Sequence, residues 1–246
     1  KCPIIDTWWQ TETGGMMISP LPGLETIPLK PGSGTFPIPG VDISVVDEYG
    51  FEIPNNTKGY LVIRKPWPGM LLGLWKNDEK YKSVYWSKYL DCYYPGDYAL
   101  KDDDGYLWLL GRADDVLKIA GHRLGTAELE SCIVSDEHVS ESAVCGISDD
   151  IKGESIIAFV VLKDGIVIDE SILEKNIFNK IRIDIGPIAT PKKIYFVKKL
   201  PKTRSGKIMR RLLKSIANGE NIGDTSTLDD ESAVTEIQKI VNSALN

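Results

Sequence analysis

Three parts of the chain carry residue types suited to handling phosphate. In "DTWWQTETGG", residues 6–15, a hydroxyl, a carboxylate and two glycines follow in close order. Thr11 can donate to a phosphate oxygen, and Glu12 can hold Mg²⁺, a hard cation that prefers oxygen ligands. Gly14 and Gly15 let the backbone approach a ligand closely. A glycine-rich turn after a buried aromatic strand accounts for the same letters. In "YPGDYALKDDDGYLWLLGRADD", residues 94–115, Asp97 follows a Pro-Gly turn. Its carboxylate is presented at a loop, where it can accept both hydroxyls of a ribose. Arg112 follows a glycine and can reach the same sugar or a phosphate. A surface turn with a structural ion pair reads equally well. His122 and Arg123, just after Gly121, are either loop-positioned site residues or a plain strand end.

The third part is "LPKTRSGKIMRRLL", residues 200–213. From Lys192 to Lys214 there are ten Lys or Arg and no acid, in a chain of net charge -6. The pattern places Lys207 at the start of a helix, beside Gly206. A helix N-terminus favours anions, Gly206 leaves room for one, and the lysine adds a mobile point charge. A solvated basic face is the plainer reading. A nucleic-acid face is weakened because no aromatic residue alternates with the basic ones from 202 to 214, so no stacking platform exists.

The bulk composition excludes several classes. A sequence pI of about 5.1 argues against a general nucleic-acid binder. Two histidines, His122 and His138, give poor support to a His-centred hydrolase or metal site. No G-x-S-x-G, H-E-x-x-H or complete Walker loop is present. Ser-Gly-Lys at 205–207 lacks the upstream glycine of a Walker loop. The four cysteines, Cys2, Cys92, Cys132 and Cys145, form no C-x-x-C pair and read as free thiols, mostly buried, in a reducing compartment. No apolar run approaches the ~20 residues of a membrane span. The chain begins at Lys1 with no Met and no leader, which reads as a piece of something longer.

The elements that must position these groups follow from periodicity. Residues 14–40 are rich in Gly and Pro and read as loops with short strands. Strands are expected at 41–46, 60–64 and 106–110, with turns at 47–50 and 102–105. After Arg112 the pattern becomes mixed: a strand at 116–120, a helix at 126–134 capped by Thr126, and a hairpin of 142–147 with 155–162. A helix at 170–183 carries Leu173, Ile177 and Ile181 four apart. A strand at 193–197 and a helix at 208–217 follow. Val234, Ile237, Val241 and Leu245 mark a last helix. Residues 220–236 hold six acids and no Lys or Arg, either a solvated tail or a screen for the basic run. The fold class is α+β. A boundary is expected near 113–115, with mainly β structure, 1–113, before it and a small mixed α/β domain, 114–219, after it; 220–246 is an acidic tail with a terminal helix.

Three stretches, "DTWWQTETGG", "YPGDYALKDDDGYLWLLGRADDVLKIAGHRLGTAELES" and "GPIATPKKIYFVKKLPKTRSGKIMRRLL", stand in order, and with "GDTSTLDD" they resemble the acyl-adenylate-forming enzymes of the acetyl-coenzyme A synthetase family. The resemblance implies a two-step acetate–CoA ligase. ATP and acetate give acetyl-adenylate and pyrophosphate, and the CoA thiol then displaces AMP. It implies Trp9 as a wall of the acetate pocket, Thr11 as a phosphate contact and Glu12 as a Mg²⁺ ligand. Asp6, Thr7, Trp8 and Gln10 lie in the nucleotide-binding stretch with them. Asp97 and Arg112 resemble the ribose contacts, and Arg123 an AMP-phosphate contact. Ala120, Gly121 and Arg182 fall at the CoA site, although many relatives carry Ser at position 120, whose hydroxyl Ala120 lacks. Asp114 looks like the hinge between a large AMP-binding domain, of which 1–113 is the C-terminal part, and the small mobile domain 114–219. Lys207 resembles the lysine that drives adenylation and that acetylation inhibits in the family. The substrates implied are acetate, ATP and CoA, in a cytoplasmic protein with no membrane or nucleic-acid partner. The family's Ser/Thr/Gly-rich phosphate loop and Gly-Glu-Pro segment belong upstream of Lys1, so this piece alone is expected to be inactive. A ligase for another short acid, such as propionate, stays open. So does a non-enzymatic basic binding module.

Overall fold

The computed structural model describes the backbone of residues 2–245 and side chains as far as Ser243. The chain divides into two compact units, Lys1–Asp114 and Asp115–Asn246.

The first unit is mainly β. Strands β1 (Trp8–Trp9) and β2 (Met16–Ile18) form an antiparallel ribbon around a short 3₁₀ turn, Thr11–Thr13. Strands β3 (Ser33–Thr35), β4 (Ile43–Val46), β5 (Lys58–Ile63), β6 (Asp97–Lys101) and β7 (Leu107–Arg112) make an antiparallel sheet in the order β3-β7-β6-β5-β4. Antiparallel pairing lets one face be covered while the other meets solvent. The covered face packs Trp8, Ile18, Leu61, Ile63, Tyr93 and Leu107 together. One helix, α1 (Asp78–Tyr85), has no counterpart in the apolar periodicity, because none of its residues is fully buried. It is started by Asn77, whose side chain accepts from the Lys80 amide at 3.1 Å, with Asp78 and Glu79 in the favourable first turn.

The second unit is a sheet buried on both faces. Its strands are β8 (Leu117–Ile119), β9 (His122–Leu124), β10 (Val139–Asp149), β11 (Gly153–Leu162) and β12 (Lys193–Phe196). β10 and β11 form the expected antiparallel hairpin, and β12 adds parallel to β11. Alternate residues of β11 point to opposite faces. Ile156, Ala158 and Val160 meet α2 (Thr126–Val134) and α3 (Glu170–Asp184). Ile157 and Phe159 meet α4 (Arg210–Ala217) and α5 (Glu231–Leu245). This double burial is why β11 reads as a continuous apolar run.

Three expectations change here. Thr126 is not the cap of α2: Gly125 holds that position, no side chain caps the helix, and Thr126 is buried as its first residue. α4 begins at Arg210, not Ile208, because Lys202 and Ile208 are bridged and Met209 donates to the Pro201 carbonyl. Residues 220–243 are not a detached tail. Leu228, Val234, Ile237 and Val241 are buried against β10, β11 and α4, so the segment is an integral layer, and none of its acids is buried. The burial of Leu245 lies outside the described residues.

Candidate active-site residues in each unit

In the first unit the β1–β2 ribbon and the start of β6 bring the predicted residues together. Trp8 and Trp9 point opposite ways, as neighbours in a strand must. Trp8 is buried and Trp9 is 58% exposed. Asp97 is buried at the first position of β6. Its Oδ2 accepts from the Trp8 indole at 3.3 Å and from Gln10 Nε2 at 3.0 Å. Its Oδ1 faces Arg112 Nη1 at 3.9 Å, beyond hydrogen-bond distance, which leaves that oxygen as an acceptor. Burial pushes the Asp97 carboxyl up to about 6, against the opposing pull of Arg112. Arg112 donates to the Pro95 carbonyl at 2.7 Å and to Asp114 at 3.2 Å, so its guanidinium is held flat over the Pro-Gly turn. Gly96 makes this approach possible. Its φ is +81°, and a Cβ there would lie 2.4 Å from Arg112 Nη2.

Gln10 and Glu12 are held from behind by two stacked tyrosines. The Tyr85 and Tyr93 rings lie 5.4 Å apart at 7°. Tyr93 donates to Gln10 Oε1 at 3.0 Å, and Tyr85 donates to Glu12 Oε1 at 2.8 Å. Burial, with Glu12 adding to it, pushes the Tyr85 phenol up to about 12, so it stays a donor at neutral pH. Thr11 is exposed on the 3₁₀ turn. Thr7 turns its hydroxyl to the Ile18 carbonyl at 2.8 Å, and Asp6 accepts from the Gly32 amide at 3.0 Å. Gly14 serves a different purpose from the ligand approach read in the sequence. A Cβ there would lie 2.2 Å from the Gly69 carbonyl oxygen, so its missing side chain admits another part of the protein backbone. Of the pair, Gly15 is the one with open space beside it.

In the second unit the predicted residues sit on three different elements. Ala120 and Gly121 form the two-residue turn between β8 and β9, with φ of 48° and 84°. Both being positive matches the hairpin turn whose twist suits the strands, at a steric cost for alanine. Arg123 lies on β9 opposite Lys118. Arg182 is exposed in the last turn of α3, 3.4 Å from the Thr190 hydroxyl.

Lys207 is not at a helix N-terminus. It closes a tight loop ahead of α4, in which its carbonyl accepts from the Thr203 amide at 2.8 Å and its amide donates to Thr203 Oγ1 at 3.1 Å. The anion affinity of helix amides, invoked from sequence, is therefore absent at this residue. What remains is the ammonium itself, exposed and without an ion-pair or hydrogen-bond partner among the described residues. Six of the ten cations in the basic run do have partners. Lys192 faces Asp149, Lys199 Asp230, Lys202 Glu141, Arg210 Glu130 and Lys214 Glu154, while Arg211 donates to backbone carbonyls.

A family model of AMP-binding enzymes matches residues 1–75, and a model of the AMP-binding enzyme C-terminal domain matches residues 128–207, more than half of the chain between them. The chain belongs to the AMP-binding enzymes. It is 58% identical over 233 residues to the acetyl-coenzyme A synthetase of Pyrobaculum arsenaticum, covering 95% of this chain and 35% of that one. It is 50% identical over 240 residues to the acetyl-coenzyme A synthetase of Chlorobaculum tepidum, covering 97% and 36%. The chain thus spans about a third of the length of the curated relatives it matches. A crystal structure of an anthranilate CoA ligase in complex with anthranoyl-AMP matches with a TM-score of 0.77 at 32% identity, over 87% of this chain and 40% of that one. The α+β fold is that of the adenylate-forming enzymes.

Within this AMP-binding fold, sequence reasoning missed Tyr85, Tyr93, Glu130 and Arg210. The tyrosines gave no signal because Tyr85 closes a helix without apolar period. Glu130 has no partner among its neighbours along α2. Its proximity to Arg210, eighty positions on, is visible only in three dimensions.

Proposed function

We propose that this chain is part of an AMP-forming acetate–CoA ligase, and that its two units supply different halves of the chemistry. The observation that carries this reading is the buried Asp97, held by Trp8 and Gln10 on one oxygen with the other left to accept. A desolvated carboxylate beside an arginine suits a ligand with paired hydroxyls, the ribose of ATP and AMP. Arg112 lies against the same turn and would serve the same sugar. Thr11 would meet phosphate, and Trp9, with its indole exposed, would limit the length of the acid. The names of the relatives support acetate as the acid and CoA as the acceptor.

Glu12 fits a Mg²⁺ ligand. Only its Oε1 has a donor, Tyr85, and no group of three His, Cys, Asp or Glu among the described residues could cage a metal alone. Mg²⁺ usually takes one or two carboxylates and completes its shell with phosphate and water. Bound there, it would neutralise phosphate charge.

Adenylation brings the acetate carboxylate to the α-phosphorus, breaking the bond to pyrophosphate. Negative charge meets negative charge, so fixed positive charge and positioning lower the barrier. The unpaired ammonium of Lys207 is suited to that role. In the second step the CoA thiol attacks the acetyl carbonyl and AMP leaves. The Ala120–Arg123 turn and Arg182 would face CoA and the AMP phosphate. A swivel near Asp114 would offer Lys207 and that turn in succession. Two buried free thiols, Cys92 and Cys145, accord with a cytoplasmic setting.

The test is pyrophosphate exchange by the full-length protein across a panel of short acids. Exchange dependent on acetate, lost on Lys207→Ala, is the expected result. Exchange supported by no short acid overturns the reading. Trp9→Gly should admit acids one or two methylenes longer, each worth ~1–3 kcal/mol in such a pocket. An unchanged acid profile removes Trp9 from the pocket. A basic binding module is the less favoured reading, because six of the ten cations in the basic run already have partners.

A further inference from the structure

The two arginines that open α4, Arg210 and Arg211, stand where an α-helix least tolerates cations. The first turn carries the positive end of the helix dipole, and cations there are unfavourable. No acid lies in that turn and no side chain caps it. Each guanidinium is nevertheless held at two points, and to a different part of the unit. Arg210 donates from Nε to Glu130 Oε1 at 2.9 Å and from Nη2 to Oε2 at 2.6 Å, a two-point clasp onto α2. Glu130 is itself buried, and its Oε1 also accepts from the Val144 amide of β10 at 2.8 Å. Arg211 donates from Nη1 to the Ile222 carbonyl at 2.8 Å and from Nη2 to the Asp224 carbonyl at 2.5 Å. The segment that receives it then runs beside the Lys207 loop. Arg204 donates its amide to the Thr227 carbonyl at 3.2 Å, and Asp229 donates to the Lys202 carbonyl at 2.9 Å.

A buried ion pair is a poor stabiliser, since the cost of removing both charges from water offsets much of their attraction. Two arginines set against a helix dipole add to that cost. Such pairs instead fix geometry, because planar guanidinium groups match two acceptors at once. What they fix here is the start of α4, three and four residues beyond Lys207. Lys207 ends a loop closed on itself through Thr203, and Ile208 and Met209 alone separate it from α4.

We propose that Arg210 and Arg211 are positioning residues for Lys207: one ties its loop to Glu130, the other to the acidic segment 222–229. That segment lies outside the residues matched by the C-terminal family model, which end at Lys207. The proposal rests on the reading of Lys207 as the adenylation lysine. It adds that the downstream acidic layer belongs to the same machinery. The lysine itself can swing freely, but the point from which it swings is held on both sides.

The experiment uses the full-length protein and measures both half-reactions. Arg211→Ala removes one tie without leaving a buried charge. The paired change Glu130→Gln with Arg210→Gln removes the other while keeping both positions polar, which guards against the unfolding that Arg210→Ala alone would invite. Each is expected to lower kcat for acetate-dependent pyrophosphate exchange by ~10–100-fold, the scale of a misplacement of about 1 Å. KM for ATP and thioester formation from preformed acetyl-adenylate should stay within about twofold. Amide hydrogen exchange at residues 203–207 should accelerate, and Arg211→Lys should recover only part of the rate. Equal loss in both half-reactions would mean a general structural role and overturn the proposal, as would unchanged exchange at 203–207. Lys207→Ala is run alongside. If pyrophosphate exchange survives that change, the role of Lys207 fails; the clamp then stands or falls on amide exchange in its loop.

Discussion

The first unit keeps its chosen charge under cover, and the second keeps its own in the open. Asp97 is buried, and Trp8 and Gln10 bond one oxygen while Arg112 faces the other. Lys207 is exposed, and its ammonium meets no partner among the described residues. Both rest on firm supports. The stacked Tyr85 and Tyr93 brace Gln10 and Glu12, whereas backbone bonds close the Lys207 loop and two arginines anchor the start of α4 just beyond it. A buried acceptor of fixed direction suits a ligand feature that does not change during the reaction, such as a sugar. An exposed cation on a long stem suits charge that builds and disappears. Burying Lys207 in the same manner would depress its affinity for a proton and remove the charge that the proposed adenylation role requires.

The largest test of this contrast is Lys207→Ala, expected to cut adenylation ~100–1,000-fold, the usual scale for losing one group that stabilises transition-state charge. Thioester formation from preformed acetyl-adenylate should persist; equal loss of both steps would break the contrast. Asp97→Asn comes next, with nucleotide affinity falling ~10–100-fold for a charged hydrogen bond of roughly 1.5–3 kcal/mol. Its carboxyl sits near 6 in the folded chain, above its ordinary value of 3.8. Nucleotide affinity, read by calorimetry, should therefore drop as pH falls through about 6, and Asp97→Asn should flatten that dependence. Folding stability runs the other way. A raised carboxyl pKa contributes stability that is full below about 4 and lost as pH rises through about 6, so the Asn variant should lose less stability than the parent across that window.

Gly96→Ala should act at one remove. With φ of +81° and Arg112 Nη2 only 2.4 Å from a new Cβ, the guanidinium must move off the Pro95 carbonyl. A stability loss of about 1–2 kcal/mol from the left-handed backbone alone is expected in thermal unfolding, together with weaker nucleotide binding. Unchanged binding would show that Arg112 need not lie there. The smallest effect belongs to Tyr85→Phe, which removes one donor from Glu12. About 1 kcal/mol is expected, seen as a several-fold rise in the Mg²⁺ concentration needed for half-maximal exchange, with little change in Tm.

Much of the scaffold was legible because it rests on periodicity. The β10–β11 hairpin, the Leu173–Ile177–Ile181 face of α3 and the Val234–Ile237–Val241 face of α5 all lie where apolar spacing places them. α1 was invisible because none of its residues is fully buried: Tyr85 packs against the core, but no apolar period runs through the helix. The start of α4 was misplaced because Ile208 and Met209 continue the apolar pattern while their backbone groups bond to residues 201 and 202. That two-residue error carried a chemical consequence, since it had placed Lys207 in the field of a helix terminus.

The sequence by itself determined which residues have the right functional groups: a carboxylate after Pro-Gly, an arginine after glycine, a lysine after Ser-Gly. Side-chain chemistry is local, and neighbours along the chain are enough to declare it. Only the tertiary structure decided how each group is held. Asp97 gains its raised pKa from burial, Glu12 its orientation from Tyr85, and the start of α4 beyond Lys207 its footing from Glu130 and the carbonyls at 222 and 224. Those properties depend on desolvation and on partners 73 and 80 residues away. No pattern of spacing encodes them, because burial and long-range hydrogen bonds exist only once the layers have packed.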